Sequence, residues 1–383
     1  MKYSTERILT THAGALPQPP DLKQMHSARD AGTPLNADAF RQRVQAAVAE
    51  VVKKQIDCGL DVINDGEVGK SNFSRYARDR LSGFTERNAK PGEQASTIFA
   101  RDLVEFGEYF KNRTYHRGDN VRRVFCNAPL KYVGHESLKS EIEDFKAALA
   151  GQKYEEAFLP AIAPGTIEHW MKNDYYPNDE AYLMAIADAM HQEYKTIVDA
   201  GFLLQIDDPD LPDGWQFMSK MTVPEYRQYA ELRIDALNHG LHDIPPDRVR
   251  FHTCWGSYHG PHKYDIPLHD IIDLILKVKA NTISIEAANP RHEHEWREWE
   301  EVKLPSGKVL VPGVVGHATD IVEHPQAIAD RLVRYAKIIG RENVMAGTDC
   351  GLGPRVGDPQ IAWAKFEAMA EGARLATKEL WGR

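Results

Sequence analysis

The sequence has 383 residues, and its 47 Lys and Arg against 56 Asp and Glu give a formal net charge of −9. An acidic chain without a basic run attracts neither phosphate backbones nor anionic lipid, so we expect no nucleic-acid partner. Hydrophobic residues at 42% and charged residues at 27% are typical of a soluble globular protein. The apolar runs are only a few residues long, so we predict no membrane span.

The N-terminus and the cysteines indicate a cytosolic protein. Residues 1–7 lack the apolar core of a secretory signal. The four cysteines, Cys58, Cys126, Cys254 and Cys350, are too few and too scattered for a disulfide scaffold. In a reducing compartment they are thiols that either pack as small hydrophobes or bind a metal.

Short apolar runs that end in polar or glycine-containing tips recur along the chain. Such runs are typical of buried strands. There are nine candidates, one more than a barrel of eight strands needs, so we expect one to be a loop. The nine are residues 8–12, 62–67, 130–134, 158–162, 203–208, 249–254, 282–286, 309–312 and 344–349.

Helical patterns separate these runs. Apolar residues recur at spacings of three and four after Val44, and that stretch closes at Gly59. Further helical stretches cover residues 180–198, 225–237, 268–278, 325–339 and 360–380. Strands that alternate with helices predict parallel strands joined by crossovers, and the length suits one (β/α)8 TIM barrel of the α/β class. We interpret residues 1–383 as a single domain, with an insertion at about 85–123 over the C-terminal face of the barrel.

A pattern for metal binding lies on the later strands. His252 and Cys254 are two residues apart, so on a strand their side chains point to the same side and can reach one ion. Taken alone, this pair is also compatible with a core cysteine beside a solvated histidine. Glu286 closes an apolar run, and Cys350 lies in a tip bounded by glycines. One nitrogen, two sulfurs and one carboxylate oxygen suit zinc better than magnesium or calcium.

Together with three motifs from earlier strands, these residues resemble the cobalamin-independent methionine synthase family, specifically its catalytic C-terminal barrel. The resemblance extends along nearly the whole chain, and single-barrel members of this length include epoxyalkane:coenzyme M transferase. The matching positions are residues 10–17, 65–67 and 205–209, the pair His252 and Cys254, Glu286, and Cys350 within residues 348–352.

The resemblance implies a zinc cofactor held by His252, Cys254, Glu286 and Cys350. It also implies two small-molecule partners, a thiol and an alkyl donor. In the implied reaction, the thiol binds zinc as a thiolate and attacks an electrophilic carbon of the donor. Glu286 is the ligand that we expect to loosen, because carboxylates exchange more readily than thiolates.

Acidic residues match the positions where the family holds the amino group of homocysteine. They are Glu67 and Asp207, with Asp208 beside them, and the alternative for each is a capped turn or a solvated acid. The methionine synthases have Ile-Gly-Ser near the start, whereas this chain has Ala13-Gly14-Ala15 and lacks that hydroxyl. The identity of the thiol acceptor therefore stays open.

Other candidates for substrate contacts are less specific. Arg75 begins a group of three arginines that suits a carboxylate or sulfonate, although a helix start with solvent-facing arginines would look the same. Trp255 is a candidate to line a donor pocket, and a core position is its alternative. His12 lies in the first motif and is a further candidate for a substrate contact.

Three histidines are candidate proton donors to a leaving group. His259 and His262 follow the zinc pair in a loop, and His317 lies in a polar loop near the end of a later strand. For each of them, a surface or structural histidine is the alternative. We expect Cys58 and Cys126 to serve packing.

These observations favour a zinc-dependent alkyltransferase or methyltransferase that acts on a thiol. Thiol addition to an epoxide, as in the coenzyme M transferase, is the adjacent alternative. A non-catalytic zinc protein would usually take its ligands from short local knuckles instead of distant strands, and metal-assisted hydrolysis would prefer histidine and carboxylate ligands. The sequence leaves the oligomeric state open, and a homo-oligomer is compatible with it.

Overall fold

The structure is a computed structural model that describes residues 1–88, 99–111 and 122–382. Its strands in chain order are β1 (Leu9–Thr10), β2 (Val62–Ile63), β3 (Leu81–Asn88), β4 (Arg122–Tyr132), β5 (Glu156–Ile162), β6 (Met171–Asn173), β7 (Leu203–Asp207), β8 (Val249–Thr253), β9 (Thr282–Ile285), β10 (Val309–Val315) and β11 (Met345–Thr348).

Eight parallel strands form a nearly closed barrel in the order β1, β11, β10, β9, β8, β7, β5, β2. The two end strands approach each other, since the Asp61 amide donates to the Thr10 carbonyl at 3.1 Å. Strands such as β10 are buried along their whole length, as expected where helices cover a parallel sheet. The prediction of an α/β TIM barrel is confirmed.

Helices follow most of the barrel strands. They are α1 (Pro20–Asp30), α2 (Ala37–Asp57), α3 (Phe73–Arg80), α4 (Ala100–Glu105), α5 (Gly107–Lys111), α6 (His135–Leu149), α7 (Pro164–Trp170), α8 (Asp179–Asp199), α9 (Asp210–Phe217), α10 (Val223–Gly240), α11 (Ile272–Ile275), α12 (Glu298–Glu301), α13 (Pro325–Ile339) and α14 (Pro359–Trp381). None of the described helices combines the length and apolar character that crossing a bilayer requires.

Local signals explain where the long helices begin. The Asn178 side chain accepts from the Ala181 amide at 2.8 Å before α8, and Thr222 and Glu225 form a capping box before α10. The predicted helix at 268–278 is wrong for most of its length. That segment forms a 3-10 turn and the four-residue α11, because the backbone of Ile271 between them, with φ of −134°, is not helical.

A second sheet lies outside the barrel. In it β3 pairs with β4 in antiparallel fashion, and β4 pairs with β6 in parallel. The one candidate run of the nine that is not a barrel strand is 130–134, and it is not the loop that we expected among the nine, because it forms the end of β4, which pairs with the neighbouring β3. The segment predicted as an insertion is described only in part, since residues 89–98 and 112–121 lie outside the described residues.

Residues 99–111 contact the loops after β7 and β8. The Arg101 guanidinium donates to the carbonyls of Trp215 at 2.7 Å and Met218 at 3.0 Å. The Tyr109 hydroxyl donates to the His259 carbonyl at 2.9 Å. Both loops leave the carboxyl ends of barrel strands, so residues 99–111 lie against the face where a barrel carries its site.

Candidate metal centre

Three of the four predicted metal ligands meet at the carboxyl ends of two strands. His252 lies on β8, Cys254 is the first residue after β8, and Cys350 lies just beyond β11. The sulfurs of the two cysteines are 3.7 Å apart, and one ligand atom from each of the three residues lies within 4.8 Å of the others. His252 and Cys254 are buried and Cys350 is half-buried.

The chemistry of this cluster fits a zinc ion. His252 Nδ1 lies 3.4 Å from the Ser284 hydroxyl, whereas its buried Nε2 makes no hydrogen bond of regular geometry among the described residues, although the ring interacts with the Cys350 sulfur. A buried polar atom without a partner costs about 1–3 kcal/mol, so an ion at this nitrogen would remove a real penalty. A hydrogen bond from the Cys254 thiol holds the pKa of Cys350 well below its usual range, which favours a thiolate ligand.

Glu286 lies beside the cluster and makes other contacts. Its two carboxylate oxygens accept from the Trp255 amide and from the Asn289 side chain, each at 2.8 Å. It shares a second group of potential ligand atoms with His317 and Asp349, all within 4.8 Å of one another. The structure thus places Glu286 next to the three ligands, and its role as the fourth stays a prediction.

This second group also contains unpartnered polar atoms. Both ring nitrogens of His317 and Oδ2 of Asp349 are buried and lack a hydrogen-bond partner in the described part of the chain. Asp349 is fixed by its other oxygen, which accepts from the amides of Ala287 and Ala288 at 2.8 and 2.7 Å. Burial, followed by the charge of Glu286, raises the pKa of Asp349 to about 8.

Asp349 and the residue that holds the His317 loop were not among the residues predicted from sequence. The signal for Asp349 was available, because a carboxylate next to Cys350 at a strand end is as unusual as Glu286. The loop is held by Lys365 of α14, whose fully buried ammonium donates to the Gly316 carbonyl at 3.1 Å and pairs with Glu323 at 3.0 Å. Nothing in the helical pattern of α14 distinguishes this lysine.

Two of the predicted substrate-binding acids interact electrostatically with His252 and Cys350 of the three-residue cluster, which we call the metal cluster for its proposed ligand. Glu67 and Asp207 are coupled electrostatically to each other and to His252, and burial is the main cause that raises the pKa of both, for Asp207 to about 8. Glu67 has a left-handed backbone with φ of 54°. A Cβ at Gly14 would lie 2.6 Å from Glu67 Oε1, so glycine is required there to leave room for this carboxylate.

Asp208 points elsewhere, although it follows Asp207 directly. Its Oδ1 accepts from the Thr166 hydroxyl of α7 at 2.9 Å. Successive side chains at a strand end point to opposite sides, which explains why the neighbouring acids have different partners. Burial raises the pKa of Asp208 to about 6.

Arg75 and the two arginines after it are paired away from the metal cluster. Arg75 lies 3.3 Å from Asp30 of α1, and Arg78 pairs with Glu86 of β3. Arg80 forms a buried ion pair with Glu141. The structure therefore does not bring these guanidinium groups to the predicted substrate site.

His12 is buried in the barrel, with both ring nitrogens in use. Its Nε2 lies 2.8 Å from Gln55 Oε1, and its Nδ1 accepts from the Gly14 amide at 3.2 Å. Burial lowers the pKa of His12 to about 3, so the ring is neutral. In the structure, His12 positions the loop that carries Gly14.

His262 belongs to a buried group that we call the histidine–carboxylate network, which consists of His262, Asp265, His292 and Glu295. Asp265 Oδ2 lies 2.7 Å from His262 Nδ1 and 3.1 Å from His292 Nε2, and Glu295 lies 2.9 Å from His292 Nδ1. Burial opposes a charge on His292, but hydrogen bonds to Asp265 and Glu295 outweigh it and raise its pKa to about 10.

This network fixes the loop after β8. His262 Nε2 lies 3.2 Å from the Tyr258 carbonyl, so both of its ring nitrogens have partners. Trp255 stacks on His292 at 3.9 Å between ring centroids and donates to the Ile266 carbonyl at 2.7 Å. His259 is half-buried and contributes its carbonyl to the contact with residues 99–111. Trp255 is therefore a core residue of this loop in the structure.

The two remaining cysteines lie in the hydrophobic core. Cys58 ends α2 and Cys126 lies on β4. Burial raises the pKa of both thiols, for Cys58 to about 11, which keeps them protonated. Both sulfurs are therefore suited to packing.

The fold and the site define a TIM barrel with a thiol and imidazole cluster at the carboxyl ends of its strands. The family described as cobalamin-independent synthase, catalytic domain, matches residues 8–95 and 161–374, and the chain belongs to this family. The resemblance found in the sequence is thereby confirmed. The unmatched stretch between the two ranges includes residues 99–111.

Curated relatives match the chain over nearly its whole length. The methionine synthase of Thermococcus kodakarensis is 24% identical over 97% of this chain and 94% of its own. The methionine synthase of Sulfolobus acidocaldarius is 23% identical over 97% of this chain and 93% of its own.

Solved structures share the fold. The B12-independent methionine synthase from Shewanella sp. W3-18-1, in complex with selenomethionine, aligns with a TM-score of 0.73 and 19% identity over 98% of this chain and all of its own. A putative B12-independent methionine synthase from Listeria monocytogenes aligns with a TM-score of 0.66 and 17% identity over the same shares. At these identities, the likeness supports the barrel fold alone.

Proposed function

We propose that this protein is a zinc-dependent transferase that moves a methyl group, or a similar small alkyl group, onto the sulfur of a small thiol. The observation that carries the proposal is the buried cluster of His252, Cys254 and Cys350, in which the Nε2 atom of His252 makes no hydrogen bond of regular geometry in the described residues. Membership of the synthase family and relatives named methionine synthase support methyl transfer.

In this proposal, His252, Cys254 and Cys350 hold the zinc ion, with Glu286 as the fourth ligand. When bound, zinc stabilises a substrate thiol as its thiolate near neutral pH. The low pKa of Cys350 favours its thiolate, which is the form that binds a metal ion. The hydrogen bonds that Trp255 and Asn289 donate to Glu286 hold its carboxylate beside the cluster.

The acids beside the cluster indicate the class of thiol. Burial raises the pKa of Glu67 and of Asp207, so a cationic ammonium group beside them would favour their ionised forms and donate charge-assisted hydrogen bonds to both. A sulfonate thiol would need free guanidinium groups, and the three candidate arginines are paired with acids elsewhere. We therefore favour an amino thiol such as homocysteine over a coenzyme M type of acceptor.

His317 is the proton donor in this proposal. Its ring is buried beside Glu286 and Asp349, and both of its nitrogens lack partners among the described residues, whereas the nitrogens of His262 are occupied. A histidine with a free nitrogen can move a proton to or from a leaving group.

The decisive experiment follows the sulfur coordination of zinc during titration with thiols. Purified protein should contain stoichiometric zinc, and zinc-edge X-ray absorption should show one added sulfur ligand when homocysteine is titrated. The matched control is coenzyme M, for which we expect no added sulfur. Two results would contradict the proposal. One is protein that purifies without zinc and does not take it up, and the other is a zinc ion that gains no sulfur ligand with any amino thiol.

A further inference from the structure

A second group of potential metal ligands lies on the outer surface, where α8 meets the end of α10. His191 is on α8, and His242 and Asp243 lie in the turn after α10. One ligand atom from each of the three lies within 4.8 Å of the others, and His191 Nε2 is 3.5 Å from Asp243 Oδ1. The two imidazole rings stack with centroids 4.2 Å apart.

Both histidines are held in the orientation that metal ligands commonly adopt. His191 Nδ1 donates to the Gly240 carbonyl and His242 Nδ1 donates to the His239 carbonyl, each at 2.9 Å. A carbonyl can only accept, so the proton lies on Nδ1 and the lone pair of each neutral ring lies on Nε2. Metal-bound histidines typically use such a hydrogen bond to fix the tautomer and the ring direction.

The packing of the two helices brings these groups together. Gly240 ends α10 at a close approach to α8, where an added Cβ would lie 3.3 Å from the Ala187 carbonyl. This approach places the Gly240 carbonyl within reach of His191, one turn further along α8. The contact between the two helices thus orients His191, and His242 and Asp243 lie in the turn that directly follows α10.

We propose that His191, His242 and Asp243 form a second metal site for a divalent transition-metal ion. Two imidazoles and one carboxylate suit zinc, nickel or copper, with water in the remaining positions, and they do not suit calcium or magnesium, which prefer oxygen ligands. This site contains no thiolate and is solvent-accessible, in contrast to the buried cluster at the barrel mouth. The inference does not depend on the proposed catalytic function.

His239 offers a matched control within the same surface. Its ring lies 6.0 Å from that of His242, but its Nε2 is already 2.7 Å from Asp188 Oδ1. It is therefore a neighbouring exposed histidine that is not one of the three ligands. Its replacement tests whether any surface histidine suffices for binding.

The experiment is a calorimetric titration of the zinc-loaded protein with Zn²⁺. We expect one further equivalent of zinc to bind. The variants His191→Ala, His242→Ala and Asp243→Asn should each weaken this equivalent at least about tenfold, since even the loss of an outer partner of a metal ligand costs that much. His239→Ala should leave it unchanged, and Cys254→Ser should keep it while losing the zinc of the barrel mouth.

Three results would overturn the second site. They are the absence of a further equivalent, a further equivalent that persists in all three ligand variants, and an equal loss in His239→Ala. If His191→Ala fails to fold, as judged by thermal melting without added metal, Asp243→Asn still decides, because the Asp243 side chain is exposed to solvent.

Discussion

Two neighbouring groups at the barrel mouth both contain buried histidines, but the ring nitrogens of these histidines differ in their hydrogen bonding. In the histidine–carboxylate network, both ring nitrogens of His262 and of His292 have partners within 3.2 Å. At the metal cluster and its neighbours, one nitrogen of His252 and both nitrogens of His317 make no hydrogen bond of regular geometry in the described residues. Both groups are buried, so burial does not separate a site from a scaffold.

The difference lies in which polar atoms are left for a ligand. A buried polar atom is almost always hydrogen-bonded in a folded protein, so buried atoms without a partner that lie in groups of potential metal ligands indicate a missing partner. Fully paired atoms have no capacity left, and their role is to hold the loop after β8 in place. The following predictions test this contrast, from the largest expected effect to the smallest.

The largest effect is expected from Cys254→Ser. Loss of a sulfur ligand should release zinc and lower alkyltransferase activity by more than about a thousandfold, beyond the tenfold to hundredfold that loss of an outer partner costs. Elemental analysis and a thiol methylation assay measure the two effects. Cys126→Ser is the matched control, because this thiol lies on β4 in the core and should leave zinc and activity intact.

A smaller loss is expected from His317→Gln. Activity should fall about a hundredfold, the lower range for removal of a general acid or base, while zinc content stays stoichiometric. The rate of a single turnover and the zinc content measure the two quantities. If His262→Gln, in the paired network, lowered the single-turnover rate as much at equal stability, our assignment of the two histidines would be reversed.

The network should affect stability more than chemistry. His292→Gln should lower the free energy of unfolding by about 3 kcal/mol near pH 6, because it leaves Asp265 and Glu295 without their buried cation. Urea titration measures the change. His269→Gln, which alters an exposed histidine paired with Glu298, should change stability little.

The pH dependence of that difference has a definite sign. The pKa of His292 is about 10 in the folded protein and about 6.5 in an unfolded chain, so folding takes up a proton between these values. The stabilisation is fully present below about pH 6.5 and is lost as the pH rises through 10. The difference between wild type and His292→Gln should therefore shrink with rising pH, and a constant difference would contradict an imidazolium in the network.

The smallest effect is expected from Arg75→Ala. Its ion pair with Asp30 is partly exposed, so stability should change by less than about 1 kcal/mol. The KM for the thiol should not change, since the guanidinium is paired away from the metal cluster. A KM that rises severalfold would restore Arg75 as a substrate contact.

Much of the barrel follows from sequence because its signals are local. Apolar runs that end in polar tips can be read directly from the sequence. Because the barrel strands are parallel, the polar tips of these eight runs all lie on the same face of the barrel. The run at 130–134 has the same local pattern, but its sheet depends on pairing with β3, which no local signal records. The segment at 268–278 has helical spacing, yet it forms only a 3-10 turn and the four-residue α11.

The convergence of the proposed metal ligands was predictable for the same reason, since strand ends and the i, i+2 rule place His252 and Cys254 on one side. The hydrogen-bond and ion-pair partners of nearby side chains could not be predicted from sequence. Arg75 and Asp208 lie close in sequence to residues of the site, but their contacts with Asp30 and Thr166 depend on helices that pack from elsewhere in the chain. The sequence cannot distinguish His317, whose ring nitrogens have no partner in residues 1–88, 99–111 and 122–382, from His262, whose ring nitrogens both have partners.

The contact between residues 99–111 and the barrel mouth has a consequence for how new specificity could arise. Tyr109 donates to the His259 carbonyl, and Arg101 donates to carbonyls after β7. Residues 99–111, which lie outside the family match, therefore contact the loops after both β7 and β8. Changes in this segment are expected to shift those loops without altering the strands that carry His252 and Cys350. The proposed metal ligands and the segment that contacts the loops near them therefore lie in separate parts of the sequence.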